Sequence, residues 1–371
     1  EVNGQEITPF LNRMRSQARY FPHYADLTAQ GMTSDSEYAT LHSQLPLAQG
    51  ALAFLRADNQ FLTLGHVLKD AGYQTFSAHP YKRAFWNRAL LHPRYGFDES
   101  WFRRELGDGL VVGWGLADGL FFDRVLPKLR ELDAGTSPFF AFLVTLSVHH
   151  PYDSFPPSLV ELNLGELEGT AVGNYIHGMH YTDASLQRLF AQLASEGILD
   201  HTIVAVYGDH DSRLGTDPDL LRLAGVARWS PATTAELERV PAFLWVPSKG
   251  DPIRGEVPTV GGHIDLAPTL LHYLGIPRPS VFLGRPLLPG RNDGIAVFAD
   301  GSAQGRGLLW LASGPGVPEG GMCLTAAGNP KPASQCTALA DEAADMLRLS
   351  RQVLDHDLAR IVVEPTIPNT D

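Results

Sequence analysis

An α/β fold is expected for this chain: a mostly parallel central sheet with helices on both faces, plus a small C-terminal subdomain that contains a sheet of its own. Three observations predict it. Short, nearly continuous apolar runs at Phe139–Leu146, Thr202–Tyr207 and Ala242–Val246 alternate with longer stretches of helical period. Strands apolar along most of their length suit a sheet covered on both faces, and strand–helix alternation favours parallel neighbours. After about residue 290 the texture changes to Gly, Pro and Ala with two cysteines, so 1–290 reads as the main domain and 291–371 as a subdomain packed on it.

Taken in order, Thr8-Pro9 reads as an N-cap and first helical residue, with Phe10, Leu11 and Met14 on one face. Ser34 and Glu37 stand at capping-box spacing, which predicts a helix beginning at Ser34 with Thr33 just in front of it. An anion, or a hydroxyl losing its proton, is stabilised at such a helix start. Leu62–Leu68 predicts a helix, and Tyr73–Ala78 alternates like a strand ending at His79-Pro80. Trp114–Leu132 and Tyr181–Gly197 read as helices, and Asp265 as the cap of a helix ending at Gly275. A closing helix is expected over Glu342–His356.

The 371 residues, 44% hydrophobic and 19% charged, suffice for one large or two modest domains with a sizeable core. A net charge of -12 without a basic stripe argues against nucleic acid as a partner. No apolar run is long enough to span a bilayer, and no signal-peptide pattern opens the chain. The first residue is Glu1 rather than Met, which suggests a processed portion of something longer. Cys323 and Cys336, 13 positions apart, are open to two readings: one disulfide in an oxidising compartment, or two free thiols.

Four polar clusters fall at predicted strand ends or helix starts: Thr33, His79 with Trp86 and Arg88, His149, and Asp209-His210. Ligands of open α/β sheets collect outside the carboxyl ends of strands. A carboxylate and an imidazole on one tight turn are half of a site for Mn²⁺ or Zn²⁺. A metal beside a hydroxyl creates a nucleophile at neutral pH, and a guanidinium with histidines neutralises phosphoryl oxygens. Each cluster also has a plainer reading as cap, core residue or surface ion pair. One shared sheet edge favours a single active site over four coincidences.

The motifs resemble a known family. Val2–Asn12, Gln30-Gly31-Met32-Thr33-Ser34-Asp35-Ser36-Glu37, Phe85-Trp86-Asn87-Arg88, Thr145–Pro151, Val206–His210 and Ile264–Leu271 follow, in order, segments of the extracellular catalytic domain of lipoteichoic acid synthases and related phosphoglycerol transferases. These belong to the sulfatase-like, alkaline-phosphatase-like superfamily. The resemblance implies Thr33 as nucleophile and metal ligand, Asp209 and His210 as further ligands, and His149 as proton donor or phosphoryl contact. It assigns His79, Trp86, Arg88 and His149 to the substrate. The cofactor it implies is Mn²⁺, with Mg²⁺ or Zn²⁺ as alternatives. The donor would be a phosphatidylglycerol-like lipid, the acceptor a glycan or glycerol-phosphate polymer. The place of action would be the extracytoplasmic face of a membrane reached through upstream helices, and the domain would be a monomer.

The family's metal-binding glutamate ends a strand that precedes the segment matching Val2–Gln5, so the fourth ligand is expected upstream of Glu1. A sulfatase proper would need a Cys or Ser in a Cys/Ser-x-Pro-x-Arg setting, which is not found. A phosphoethanolamine transferase would carry more cysteines. A hydrolase of the same superfamily, or a binding domain that lost its chemistry, are the remaining alternatives.

Overall fold

The computed structural model describes residues 1–226, 230–237, 239–249, 252–314 and 320–360. Strand Gln74–Ala78 lies between Glu99–Trp101 and Phe139–Leu143, parallel to both, with Gln74 opposite Phe139 and Ala78 opposite Leu143. A second, mixed sheet pairs Val204–Tyr207 antiparallel to Ala242–Trp245, which runs antiparallel to Arg19–Tyr20, itself parallel to Gly255–Glu256. Helices cover both faces. On one side Pro9–Gln17, Asp118–Asp133 and Ala171–Ser195 pack around Phe121, Val125 and Phe190. On the other, Thr33–His42, Leu64–Asp70 and His263–Leu274 pack around Leu41, Leu64 and Leu271.

The 139–143 and 204–207 strands each have one paired neighbour among the described strands. Their other edges face a cavity of about 1030 Å³ that separates the two sheets. It runs the length of both strands, from Asp133 and His201 at their beginnings to Thr33, His149, Asp209 and His210 beyond their carboxyl ends. Apolar side chains from both helical layers, Leu129, Phe190 and Leu193 opposite Leu41, Leu68 and Leu270, line it. The two strands were expected to be buried on both faces; most of their residues are only half-buried, because the cavity takes the place of a neighbour.

Several element boundaries moved for identifiable reasons. The first helix is capped not by the Thr8 side chain but by Asp183, whose carboxylate accepts the N–H groups of Phe10 and Leu11 at 2.8 Å. The capping box at Ser34 and Glu37 does not form: the helix begins at Thr33, Ser34 Oγ donates to Gly31 O, and Glu37 turns inward. Trp114 lies outside its predicted helix, in the turn between the paired strands Val111–Val112 and Gly115–Leu116. The 171–195 helix starts ten residues earlier than Tyr181, where Thr170 caps it through Gly173 N–H. Asp265 sits in the first turn of its helix rather than before it and accepts from Gly262 N–H at 2.9 Å.

Beyond the main sheets, Ile295–Val297, Ala303–Gly305, Leu308–Leu311, Met322–Thr325 and Pro330–Lys331 form an antiparallel meander in chain order. Helix Thr337–Asp355 covers it, and its core of Val297, Trp310, Leu339 and Ala343 is continuous with Leu27, Leu45 and Ile264 of the preceding part. Cys323 and Cys336 are joined in a disulfide that ties the sheet to the start of this helix. Closing a loop of this size restricts the unfolded chain, so Cys336→Ser is expected to lose about 3 kcal/mol of stability. A urea midpoint equal to that of the unmutated protein would show that packing alone holds the helix.

Candidate active site

The nucleophile candidate is presented by a strained turn. Met32 has φ 46° and ψ -121°, a sparsely populated conformation for a non-glycine residue. The turn is held by Asp35, whose carboxylate accepts from Ala29 N–H at 3.0 Å and Gly31 N–H at 2.8 Å. A Cβ on Gly31 would lie 2.0 Å from Asp35 Oδ1, so only glycine lets the carboxylate come this close. Burial raises the Asp35 pKa to about 6, against the two N–H bonds that lower it. Thr33 follows as the first helical residue and lines the cavity.

Asp209 and His210 stand on the turn after the 204–207 strand. His210 Nδ1 bonds the Asp211 carbonyl at 2.7 Å, which leaves Nε2 free, 3.6 Å from Asp209 Oδ2. Two buried groups tie this turn to the Thr33 side. Asp26 accepts from Asp211 N–H and Thr28 N–H, both at 2.8 Å. His263 donates to Gly208 O at 3.1 Å and accepts from Leu27 N–H at 3.2 Å, and burial lowers its pKa, in keeping with a neutral ring.

His149 is held by a separate device. Asp118, fully buried, accepts from the N–H groups of Leu146 and Ser147 and from Thr182 Oγ1, while its own N–H donates to Ser147 Oγ. That fixes the segment leaving the 139–143 strand. The His149 Nδ1 bonds the His150 carbonyl and its ring lies 4.3 Å from Trp114, so Nε2 is the free nitrogen. Burial lowers its pKa. His79 is also buried, bonds Val144 O through Nδ1 at 3.1 Å, and is held well below the usual imidazole range by burial and then by Arg88.

Arg88 is the most heavily supported of the candidates. It is 1% exposed, and Glu37 Oε1 accepts from its Nε at 2.7 Å and Nη2 at 2.6 Å. Glu37 Oε2 faces His92 Nε2 at 3.2 Å, and His92 Nδ1 meets Ser77 Oγ at 2.8 Å, which donates to Ser100 Oγ. Burial pushes the Glu37 pKa up, but Arg88 and His92 together overcome it and bring it down to about 2. Arg88 Nη1 is buried with no hydrogen-bond partner. A guanidinium with one edge clamped and one donor free can receive an anion at low entropic cost.

Six of the seven predicted residues, Thr33, His79, Arg88, His149, Asp209 and His210, therefore line one cavity. Trp86 does not; its half-buried ring packs on Phe54 at 5.6 Å and Phe85 at 5.4 Å, at the rim. The supporting residues Asp26, Asp118, His92 and His263 were not singled out from the sequence. Each has a partner at least 28 positions away, Leu146 for Asp118 and Asp211 for Asp26 among them, so no local spacing marks them. As for a metal, no group of three His, Cys, Asp or Glu side chains converges among the described residues. Asp209 and His210 offer one hard oxygen and one imidazole nitrogen, with the Thr33 hydroxyl across the same cavity. That donor set fits a divalent cation only with a further carboxylate.

Comparison with known proteins places the chain in a family. Residues 1–276 match the sulfatase family model. The chain is 28% identical over 366 residues to the lipoteichoic acid synthase-like protein YvgJ of Bacillus subtilis, covering 97% of this chain and 57% of that protein. It is 30% identical over 310 residues to the lipoteichoic acid synthase of Staphylococcus aureus, covering 81% and 47% respectively. The chain thus spans about half the length of the curated relatives it matches. The crystal structure of the lipoteichoic acid synthase LtaP from Listeria monocytogenes superposes with a TM-score of 0.85 at 25% identity, over 96% of this chain and 88% of that one. With the family model matched over most of its length and the α/β architecture shared with LtaP, the chain belongs to the sulfatase family.

Proposed function

We propose that this chain is the catalytic part of a phosphoglycerol transferase that works through Thr33. The observation that carries the reading is the shared cavity: a hydroxyl at a helix start, a carboxylate–imidazole pair, a clamped arginine, the buried imidazole of His79 and the half-buried one of His149 all line it. This is a donor-rich surface for a phosphodiester. Thr33 Oγ gives up its proton and attacks phosphorus, the bond to the diacylglycerol oxygen breaks, and that oxygen takes up a proton in turn. The phosphoglycerol is then esterified to Thr33. An acceptor hydroxyl attacks the same phosphorus, loses its proton, and Thr33 Oγ leaves. Arg88 and His79 hold phosphoryl oxygens, and His149 Nε2 handles the proton of the leaving or attacking oxygen.

Thr33, Asp209 and His210 would hold one divalent cation, Mn²⁺ before Mg²⁺ or Zn²⁺. When bound it would lower the threonine hydroxyl's pKa and screen the phosphoryl charge. The missing carboxylate is assigned to a β-strand lying in the cavity between the 139–143 and 204–207 strands and reaching the site at its carboxyl end. The similarity to lipoteichoic acid synthases supports a phosphatidylglycerol-like donor and a glycan or glycerol-phosphate polymer as acceptor. It also supports action outside the cytoplasmic membrane.

The test is intact mass after incubation with phosphatidylglycerol, in a chain that includes such a strand. One added glycerophosphate on Thr33, absent from Thr33→Ala, is expected. An adduct that decays to free glycerophosphate as fast with acceptor as without it would identify a hydrolase instead. No adduct in the metal-loaded protein would overturn the assignment of Thr33.

A further inference from the structure

Ten large apolar side chains are strongly exposed among the described residues, and six of them gather near the site. Phe54 and Leu55 project from one short helix, Leu90 from the helix that carries Arg88, and Leu110, Val111 and Trp114 from the hairpin beside His149. Ring contacts connect the two ends: Phe54 to Trp86 at 5.6 Å, Trp86 to Phe85 at 5.4 Å, and Phe85 to Trp114 at 5.7 Å. Phe85 itself lines the cavity. The apolar residues thus border the cavity mouth as one rim, whereas Val160, Leu223, Met322 and Leu349 come from four separate elements or loops.

The loop that enters this rim carries Lys82 and Arg83, both exposed, and among the described residues neither is ion-paired. The nearest acid in the hairpin's lead-in, Asp108, is paired with Arg103. In a chain of net charge -12, two cations outside any ion pair among the described residues, Lys82 over the Tyr81 ring at 5.7 Å, beside exposed aromatic and aliphatic side chains are the pattern of a surface that meets an anionic interface. Aromatic rings, Trp above all, settle at the headgroup level of bilayers.

We propose that this rim seats the catalytic domain directly on an anionic lipid surface, with Phe54, Leu55, Leu110, Val111 and Trp114 in the headgroup region and Lys82 and Arg83 on the lipid phosphates. The placement rests on the lipid-donor reading for its purpose, since it would bring a headgroup to the cavity mouth without extraction of the lipid. Binding to the surface needs no turnover.

The experiment is co-sedimentation of Thr33→Ala protein with vesicles of phosphatidylcholine containing about one third phosphatidylglycerol, and with vesicles of phosphatidylcholine alone. Preference for the anionic vesicles, weakened by salt, is expected. Lys82→Glu/Arg83→Glu should lower partitioning more than about tenfold on the anionic vesicles. Phe54→Ser/Leu55→Ser and, separately, Leu110→Ser/Val111→Ser should each lower it about tenfold or more on both, with melting temperatures unchanged. Val160→Ser/Met322→Ser should bind as the parent does. Equal binding of the parent and the rim variants, or no binding of the parent, would overturn the proposal; so would retention by an immobilised glycan acceptor that the rim variants lose while their vesicle binding is unchanged. Because Thr33 is already removed, failure of the nucleophile assignment leaves these outcomes untouched, and vesicle binding without any Thr33 adduct in the parent would uphold the rim alone.

Discussion

Glu37→Gln is expected to cost about 3–5 kcal/mol of folding stability, because it leaves the Arg88 guanidinium buried without a counter-charge. The substitution is nearly isosteric and keeps an acceptor for Arg88, so the loss reads the charge rather than the shape. Its pH dependence gives a second, independent reading. The folded pKa of Glu37, about 2, lies below the ordinary glutamate value, so the group's stabilising contribution is complete above the unfolded pKa. It is lost as pH falls from about 4.5 to about 2. In the variant that part of the acid arm should flatten, by an amount on the order of 3 kcal/mol. Chemical unfolding across this pH range checks both. A variant within 1 kcal/mol of the parent at neutral pH, with an unchanged acid arm, would mean that Arg88 is neutralised by something other than Glu37. Activity should fall as well, since the guanidinium keeps its place in the cavity wall only as long as one edge is clamped.

A chain carrying a β-strand that fills the cavity is expected to be more stable by on the order of 5 kcal/mol or more, and to bind a divalent cation at least tenfold more tightly. The stability gain follows from the void. Interiors are close-packed, and a cavity of about 1030 Å³ removes contacts from both helical layers, while the two bordering strands are each paired on one edge only among the described strands. A strand of alternating side chains would supply both. The affinity gain follows from the proposed donor set: among the described residues no third His, Cys, Asp or Glu converges with Asp209 and His210. Thermal melts and metal content by mass spectrometry, on chains with and without such a strand, decide it. Equal melting temperatures would mean that the cavity is a true pocket, open to a ligand rather than a strand. Equal metal content with raised stability would place the fourth ligand elsewhere.

The two expectations use different physics, and both concern positions where local sequence and long-range packing disagree. Glu37 stands three residues after Ser34 and reads as half of a capping box. Its carboxylate instead reaches residues 51 and 55 positions away. Arg88, which reads equally as a surface ion pair, is 1% exposed because that carboxylate and the turn at Trp86 and Asn87, both at positive φ, draw it inward. Trp86 keeps its place beside Arg88 in the chain yet stands outside the cavity wall, where its ring joins the rim.

By itself the sequence determined the α/β class, the helix and strand positions to within a few residues for most elements, and the segments that converge on one site. Those signals are local: period, turn residues, and Asp-His or His-Pro at the end of an apolar run. Only the tertiary structure decided which polar groups hold these segments in place. Asp26, Asp118, His92, His263 and the inward face of Glu37 act on partners far away in the chain, and a buried hydrogen bond between distant residues leaves no mark on spacing. The disulfide, open to two readings in the sequence, was decided the same way, by the meander and the closing helix bringing Cys323 and Cys336 together. So was the half-burial of the two strands that border the cavity: their composition calls for cover on both faces, and whether a neighbour lies alongside is a property of the assembled sheet, not of the strand.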